Sequence, residues 1–285
     1  MIRAAIILLL CASSTIGFAQ RGAYWQQRVD HTIAVRLDDK HNFLHAFERV
    51  QYHNLSPDTL DFLIFHLWPN AYSNKKTALA KQLVRMGQTS MLFAVSEELG
   101  YIDSLAFELD GKPCVWDYDP KHIDICTLQL ERPLLPGEQV EVATPFRVKL
   151  PSGSISRLGH IEESYQITQW FPKPAVYDHQ GWHPLPYQTQ GEFYSEFGSY
   201  DVKVTLPSNY TVGATGDLQT ASEIERLKKL HKKTRKWINK VNKEGSWDDE
   251  EAKDDFPESD PKFKTLHYTQ DQVHDFAWFA DKRYN

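Results

Sequence analysis

The chain reads YQITQWFPKPAVYDHQGWHPLPY from Tyr165 to Tyr187, and most of the side chains that could do chemistry together lie there. Gln166, Gln169, Lys173, Asp178 and His183 are spaced among aromatic rings and four prolines. Each proline fixes its own φ and keeps the residue before it out of the helical region, so the segment is expected to be rigid and extended. Rigid aromatic walls carrying a few polar groups are what a small-molecule or peptide pocket is made of. The same composition also builds a packed loop between two sheets, and both readings stand at this point.

Other reactive residue types are thinly spread. His41 and His45 have the spacing of paired zinc ligands on a helix, but they open a strand pattern and have no glutamate next to either. On a strand that spacing leaves them on one face and well apart, so a structural role is expected. Cys114 and Cys126 flank a turn at Asp119-Pro120, as either a hairpin disulfide or two buried thiols. No CxxC or CxxH spacing points to a metal, and no G-x-S-x-G elbow marks a nucleophile.

The elements that must position these groups are mostly strands. The 285 residues are 41% hydrophobic and 25% charged, enough for one large or two modest cores. The net charge of -6 gives no reason to expect nucleic acid. Arg3, the apolar run from Ala4 to Ala12 and the small residues up to Ala19 read as a cleaved signal peptide over 1–19. The run is too short to span a bilayer, so the mature chain is expected to be exported with no transmembrane segment. Its destination would be the periplasm, the cell surface or the medium.

Alternation predicts strands over Val29–Leu37, Phe43–Tyr52 and Leu60–Trp68, joined by short polar turns as an antiparallel meander. A short helix is expected over Lys75–Met86, capped by Asn74 and ended by Gly87. Tyr101–Leu109, the cysteine hairpin, Val140–Leu150, Phe193–Leu206 and Tyr210–Ala214 continue the strand pattern. The fold class expected for 20–220 is therefore all-β, an antiparallel β-sandwich or saddle with one short helix. At Ser222-Glu223-Ile224-Glu225 a capping box opens a helix with Ile224, Leu227, Leu230, Thr234, Trp237, Ile238 and Val241 at helical spacing. Its polar face is nearly all Lys and Arg, and the run Asp248–Asp260 is acidic. Residues 221–262 read as a charged helical insertion, solvated and self-neutralising, and 263–285 as final strands rejoining the sheet.

Several segments, taken in order, resemble the N-terminal domain of the aminopeptidase N family of zinc metallopeptidases, most closely its secreted bacterial branch. They are Phe65-His66-Leu67-Trp68-Pro69-Asn70-Ala71-Tyr72, Leu105-Ala106-Phe107-Glu108-Leu109-Asp110-Gly111-Lys112 and Leu135-Pro136-Gly137-Glu138. Thr168-Gln169-Trp170-Phe171-Pro172-Lys173, Gly191-Glu192-Phe193-Tyr194 and His274-Asp275-Phe276-Ala277-Trp278 follow. No one segment is specific; their order carries the resemblance. It implies a substrate-shaping domain whose T-Q-x-E-P-like loop leans over a zinc centre. On that pattern Gln169, Trp170 and Phe171 are the substrate-binding residues. Phe171 stands where the family often has Glu or Gln, and a phenylalanine cannot accept a hydrogen bond from an ammonium group. The family's chemistry needs H-E-x-x-H and a G-x-M-E-N strand, and this sequence contains neither. The resemblance therefore implies that zinc belongs to a catalytic domain outside these residues, that this fragment binds none and is inactive alone, and that peptide is bound jointly by the two domains. The alternative is a free-standing exported module that binds carbohydrate or protein through Trp170, Phe171, Trp182 and Tyr187.

Overall fold

The computed structural model describes residues 24–191, 193–244 and 256–284. The expected signal peptide and most of the acidic run lie outside them. The fold is all-β and sandwich-like, with short helices and one long charged helix.

Strand Arg28–Asp38 alternates strictly, burying Val29, His31, Ile33, Val35 and Leu37. It turns at Asn42, whose φ of 58° is left-handed, and pairs antiparallel with Phe43–His53. These two lie inside a nine-stranded sheet. On one side Arg28–Asp38 runs parallel to Gly198–Pro207, which pairs with Phe263–Val273 and, beyond it, Asp217–Leu218. On the other side Phe43–His53 pairs with Gln139–Lys149, which carries Tyr101–Asp103 and Glu108–Leu109. The single strand expected over Tyr101–Leu109 is thus two, broken at Ser104, where φ is 59°.

The expected three-strand meander does not form. Leu60–His66 leaves the large sheet and pairs with Ile125–Leu134 in a second, four-stranded sheet. Buried Asn54 holds this corner, donating through Nδ2 to the carbonyls of Asp58 (2.8 Å) and Leu134 (3.0 Å). A strand with Phe62 and Ile64 on one face and Leu63 and Phe65 on the other has no polar side to give to water, so it is placed between layers. A third sheet combines Gly159–Ile161, Ser164–Ile167, Trp278–Asp281 and Thr211–Ala214. Trp68, Trp170, Phe171, Tyr200, Phe276 and Trp278 fill the space between the sheets.

The first α-helix spans Ala78–Arg85, and its cap is Thr77 rather than Asn74: Thr77 Oγ1 accepts from Ala80 N at 3.2 Å. The long helix spans Ala221–Glu244. It begins one residue before the expected cap at Ser222, so the capping box is not made. Glu225 pairs instead with Lys228, while buried Glu223 holds Arg226 and Lys264.

Candidate functional site

The segment Thr168–Lys173 is clamped to His274–Trp278. Ile167 faces Trp278 in the third sheet, and Gln169 then turns the chain with a left-handed φ of 48°. Gln169 Nε2 donates to Asp275 Oδ2 at 3.0 Å, and Trp170 Nε1 donates to the Phe276 carbonyl at 3.0 Å. Lys173 Nζ donates to the His274 carbonyl and lies 3.0 Å from Asp275 Oδ1. Two stretches far apart in the sequence are thereby one unit.

That unit places the expected substrate-binding residues differently from the sequence reading. Trp170 and Phe171 are 0% and 1% exposed, so both rings lie within the packed interior. Trp170 meets Trp278 edge-on, and Phe171 meets the His31 ring edge-on. Gln169 is half-buried; its amide nitrogen is engaged by Asp275, and its Oε1 is buried with no partner among the described residues. The alternative binding surface does not form either. Tyr187 is buried and accepts from Tyr72 Oη at 2.8 Å, while Trp182 packs half-buried against Tyr52, Phe62 and Tyr177. The reason is the corner at Gln169: a left-handed residue redirects the chain, and the rings after it fall between the sheets.

Charge is buried beside these rings. Burial pulls the Lys173 ammonium down from its ordinary value, against the opposing pull of Asp275. Burial pushes Asp275 up, but the Lys173 charge and the hydrogen bonds from Lys173 and Gln169 outweigh it and leave the carboxyl lowered. The ammonium lies over the Phe171 ring at 5.4 Å and the Trp68 ring at 5.9 Å. Next to it, His31 Nδ1 and Glu48 Oε1 are 2.7 Å apart, both 1% exposed. Burial, and then the Lys173 charge, bring His31 down to about 3, and burial holds Glu48 well above the carboxylate range. Both shifts favour the uncharged forms, a neutral imidazole facing a protonated carboxyl across one hydrogen bond.

An open cleft of about 1160 Å³ borders this unit at His274. Its walls include Trp25, Tyr177, Asp178, Tyr194 and Glu196. The hairpin Val176–Asp178/Gly181–His183 supplies one wall. Within it His183 Nε2 sits 2.8 Å from Asp178 Oδ1, and Tyr194 Oη donates to Asp178 Oδ2 at 3.1 Å. Burial pushes the Glu196 carboxyl up to about 7, the charge of Asp178 adding to the effect while hydrogen bonds from Gln26 and the Tyr177 amide oppose it. Glu196 was not singled out by sequence. Its only local signal is a lone acid between aromatic residues in Phe193-Tyr194-Ser195-Glu196-Phe197.

Among the described residues no group of three or more His, Cys, Asp and Glu is placed to hold a metal ion. His41 Nδ1 is 2.8 Å from Asp38 Oδ2. Cys114 and Cys126 are free thiols; Tyr118, not Cys114, stands opposite Cys126 in the hairpin. No helix among the described residues is long and apolar enough to cross a membrane.

No family model matches the chain, and no curated protein matches it. Among solved structures, a mutant M1 zinc metallopeptidase from Deinococcus radiodurans aligns over 90% of this chain and 42% of its own, at 14% identity and a TM-score of 0.46. A two-domain M1 zinc metallopeptidase mutant bound to L-arginine aligns over the same shares, at 13% identity and a TM-score of 0.44. The chain spans about two fifths of the length of these proteins.

Proposed function

We propose that these residues form the substrate-shaping N-terminal domain of an exported, zinc-dependent aminopeptidase-like metallopeptidase. The zinc, the activated water and the general base would belong to a catalytic domain that they do not include. The observation that carries this reading is the clamp between Thr168–Lys173 and His274–Trp278. Two of the segments that carry the family resemblance, one near the middle of the chain and one near Asn285, meet as one rigid corner. A corner held by a buried ion pair suits a wall that must keep its shape beside a reaction it does not itself perform. Gln169 stands at its apex, with one amide atom fixed and the other without a partner.

The test compares two purified proteins: this chain, and the chain extended through the coding sequence that follows Asn285. The chain is expected to hold no stoichiometric zinc and to release no product from aminoacyl p-nitroanilides. The extended protein is expected to hold zinc and turn over the same substrates. Tight zinc in the short chain, turnover by it, or an extension that lacks H-E-x-x-H would each defeat the reading.

A further inference from the structure

The cleft beside His274 has a feature that the proposed enzymatic role does not use. Glu196 lines it and is 4% exposed, and its Oε2 is buried with no hydrogen-bond partner among the described residues. The other oxygen, Oε1, accepts a long bond from the Tyr177 amide, at 3.4 Å, and the Gln26 side chain is the other polar group that acts on this carboxyl. Ser195 Oγ, also at the cleft and 6% exposed, has no partner among the described residues either. A buried acceptor without a donor is unfavourable, and natural structures rarely leave one unless a ligand or water completes it.

The surroundings select the kind of donor. Asp178, held by His183 and Tyr194, puts a second carboxylate on the same cleft, and among the described residues His179 and His274 but no lysine or arginine line it. Beside Gln26, Leu55, Ser56 and Pro57, the walls present ring faces and edges: Trp25 stacks on Tyr177 with centroids 5.9 Å apart, and Tyr194 and Phe197 are each 46% exposed. An anion would meet two carboxylates here. A neutral polar ligand would leave the Glu196 carboxyl, which burial has raised, with no charge to ionise against. A planar or compact cation satisfies both demands, because aromatic faces attract it and it brings several N–H donors to one carboxylate.

We propose that this cleft recognises an organic cation, the guanidinium or ammonium group of a basic peptide side chain, with Glu196 as its counter-ion and Trp25, Tyr177 and Tyr194 as its walls. The site needs only this chain. It stands or falls apart from the zinc aminopeptidase reading, which concerns a peptide amino terminus and a second domain.

The experiment is calorimetric titration of the purified chain with acetyl-Gly-Arg-Gly-amide and with its citrulline counterpart, which has the same shape without the charge. Blocked ends exclude recognition of an amino terminus. The arginine peptide is expected to bind about tenfold more tightly than the citrulline peptide. Glu196→Gln, nearly isosteric, should bring that ratio close to one. Tyr194→Ala, at an exposed position that the core does not need, should weaken the arginine peptide several-fold. Thermal unfolding of both variants shows whether each is folded. Equal binding of the two peptides by the unmodified chain, or no binding of either, overturns the proposal. So does an arginine preference that survives in folded Glu196→Gln. If Glu196→Gln does not fold, the comparison of the two peptides and the Tyr194→Ala titration decide.

Discussion

Replacing Lys173 by methionine tests the corner on which the site depends. Methionine keeps most of the apolar stem and removes only the ammonium, so the lost term is electrostatic. Lys173 is 3% and Asp275 17% exposed, and they lie 3.0 Å apart. Removing one partner of a buried pair typically costs about 3–5 kcal/mol, because the other charge is left without compensation. Asp275 keeps the Gln169 amide at 3.0 Å and the Phe276 N–H at 2.9 Å, and it retains some contact with solvent. The cost should therefore lie at the low end, about 3 kcal/mol. For a domain of this size that corresponds to a fall in Tm of roughly 6–12 °C. Urea unfolding followed by tryptophan fluorescence reads it directly, since Trp170 and Trp278 pack beside the corner with centroids 6.3 Å apart. Far-ultraviolet circular dichroism on the same samples checks that unfolding is a single transition. The decisive arm is the double variant Lys173→Met/Asp275→Asn. It buries no charge, so it should be more stable than the sum of the single losses predicts, by about 2 kcal/mol. A loss under about 1 kcal/mol for Lys173→Met, or strict additivity in the double variant, would refute the buried-pair account.

Three further outcomes are expected. Glu48 holds its proton above the unfolded carboxyl value of about 4.3, and His31 stays neutral down to about 3, against about 6.5 when unfolded. Between those two unfolded values the proton retained on folded Glu48 offsets the one carried by unfolded His31. Above about pH 6.5 only the Glu48 proton remains, so stability should fall as pH rises, by at most about 1.4 kcal/mol per unit. Below about pH 4.3 it should fall towards acid, and Glu48→Gln should remove the alkaline fall and move the onset of the acid one up to about pH 6.5; urea midpoints across pH 3–9 check both limbs. Gly198→Ala puts a Cβ 1.7 Å from the Val29 carbonyl oxygen, where two parallel strands begin to pair. It should cost more than about 3 kcal/mol or prevent folding, measured by the same melts or by soluble yield. Burial raises the Cys126 thiol, and the half-buried Cys114 thiol is also raised. A thiol titration of the chain from Gln20 onward should find Cys126 unreactive until denaturant is added, and dithiothreitol should leave Tm unchanged.

Alternation of apolar residues was enough to place strands over Val29–Leu37, Phe43–Tyr52 and Val140–Leu150, and over Phe193–Leu206 where the strand itself starts only at Gly198, because a strand with one face on the core must repeat every two residues. The all-β class followed from counting such runs, and Ile224, Leu227, Leu230 and Val241 marked the long helix by the same logic at another period. Local pattern says which residues share a face but not what that face meets. Leu60–His66 reads as a strand in any register, yet only the second sheet explains why it leaves its neighbours in sequence. Trp170 and Phe171 read equally well as pocket walls or as core, and the left-handed turn at Gln169 together with the Phe276 carbonyl sends them inward. The pairing of Lys173 with Asp275 joins residues about a hundred positions apart, and nothing within either neighbourhood specifies the other. The order of motifs was thus available from sequence alone. The charged corner, the unpartnered Glu196 oxygen and the inward turn of the rings were decided by contacts between distant segments, because burial and partner choice belong to the packed chain and not to any stretch of it.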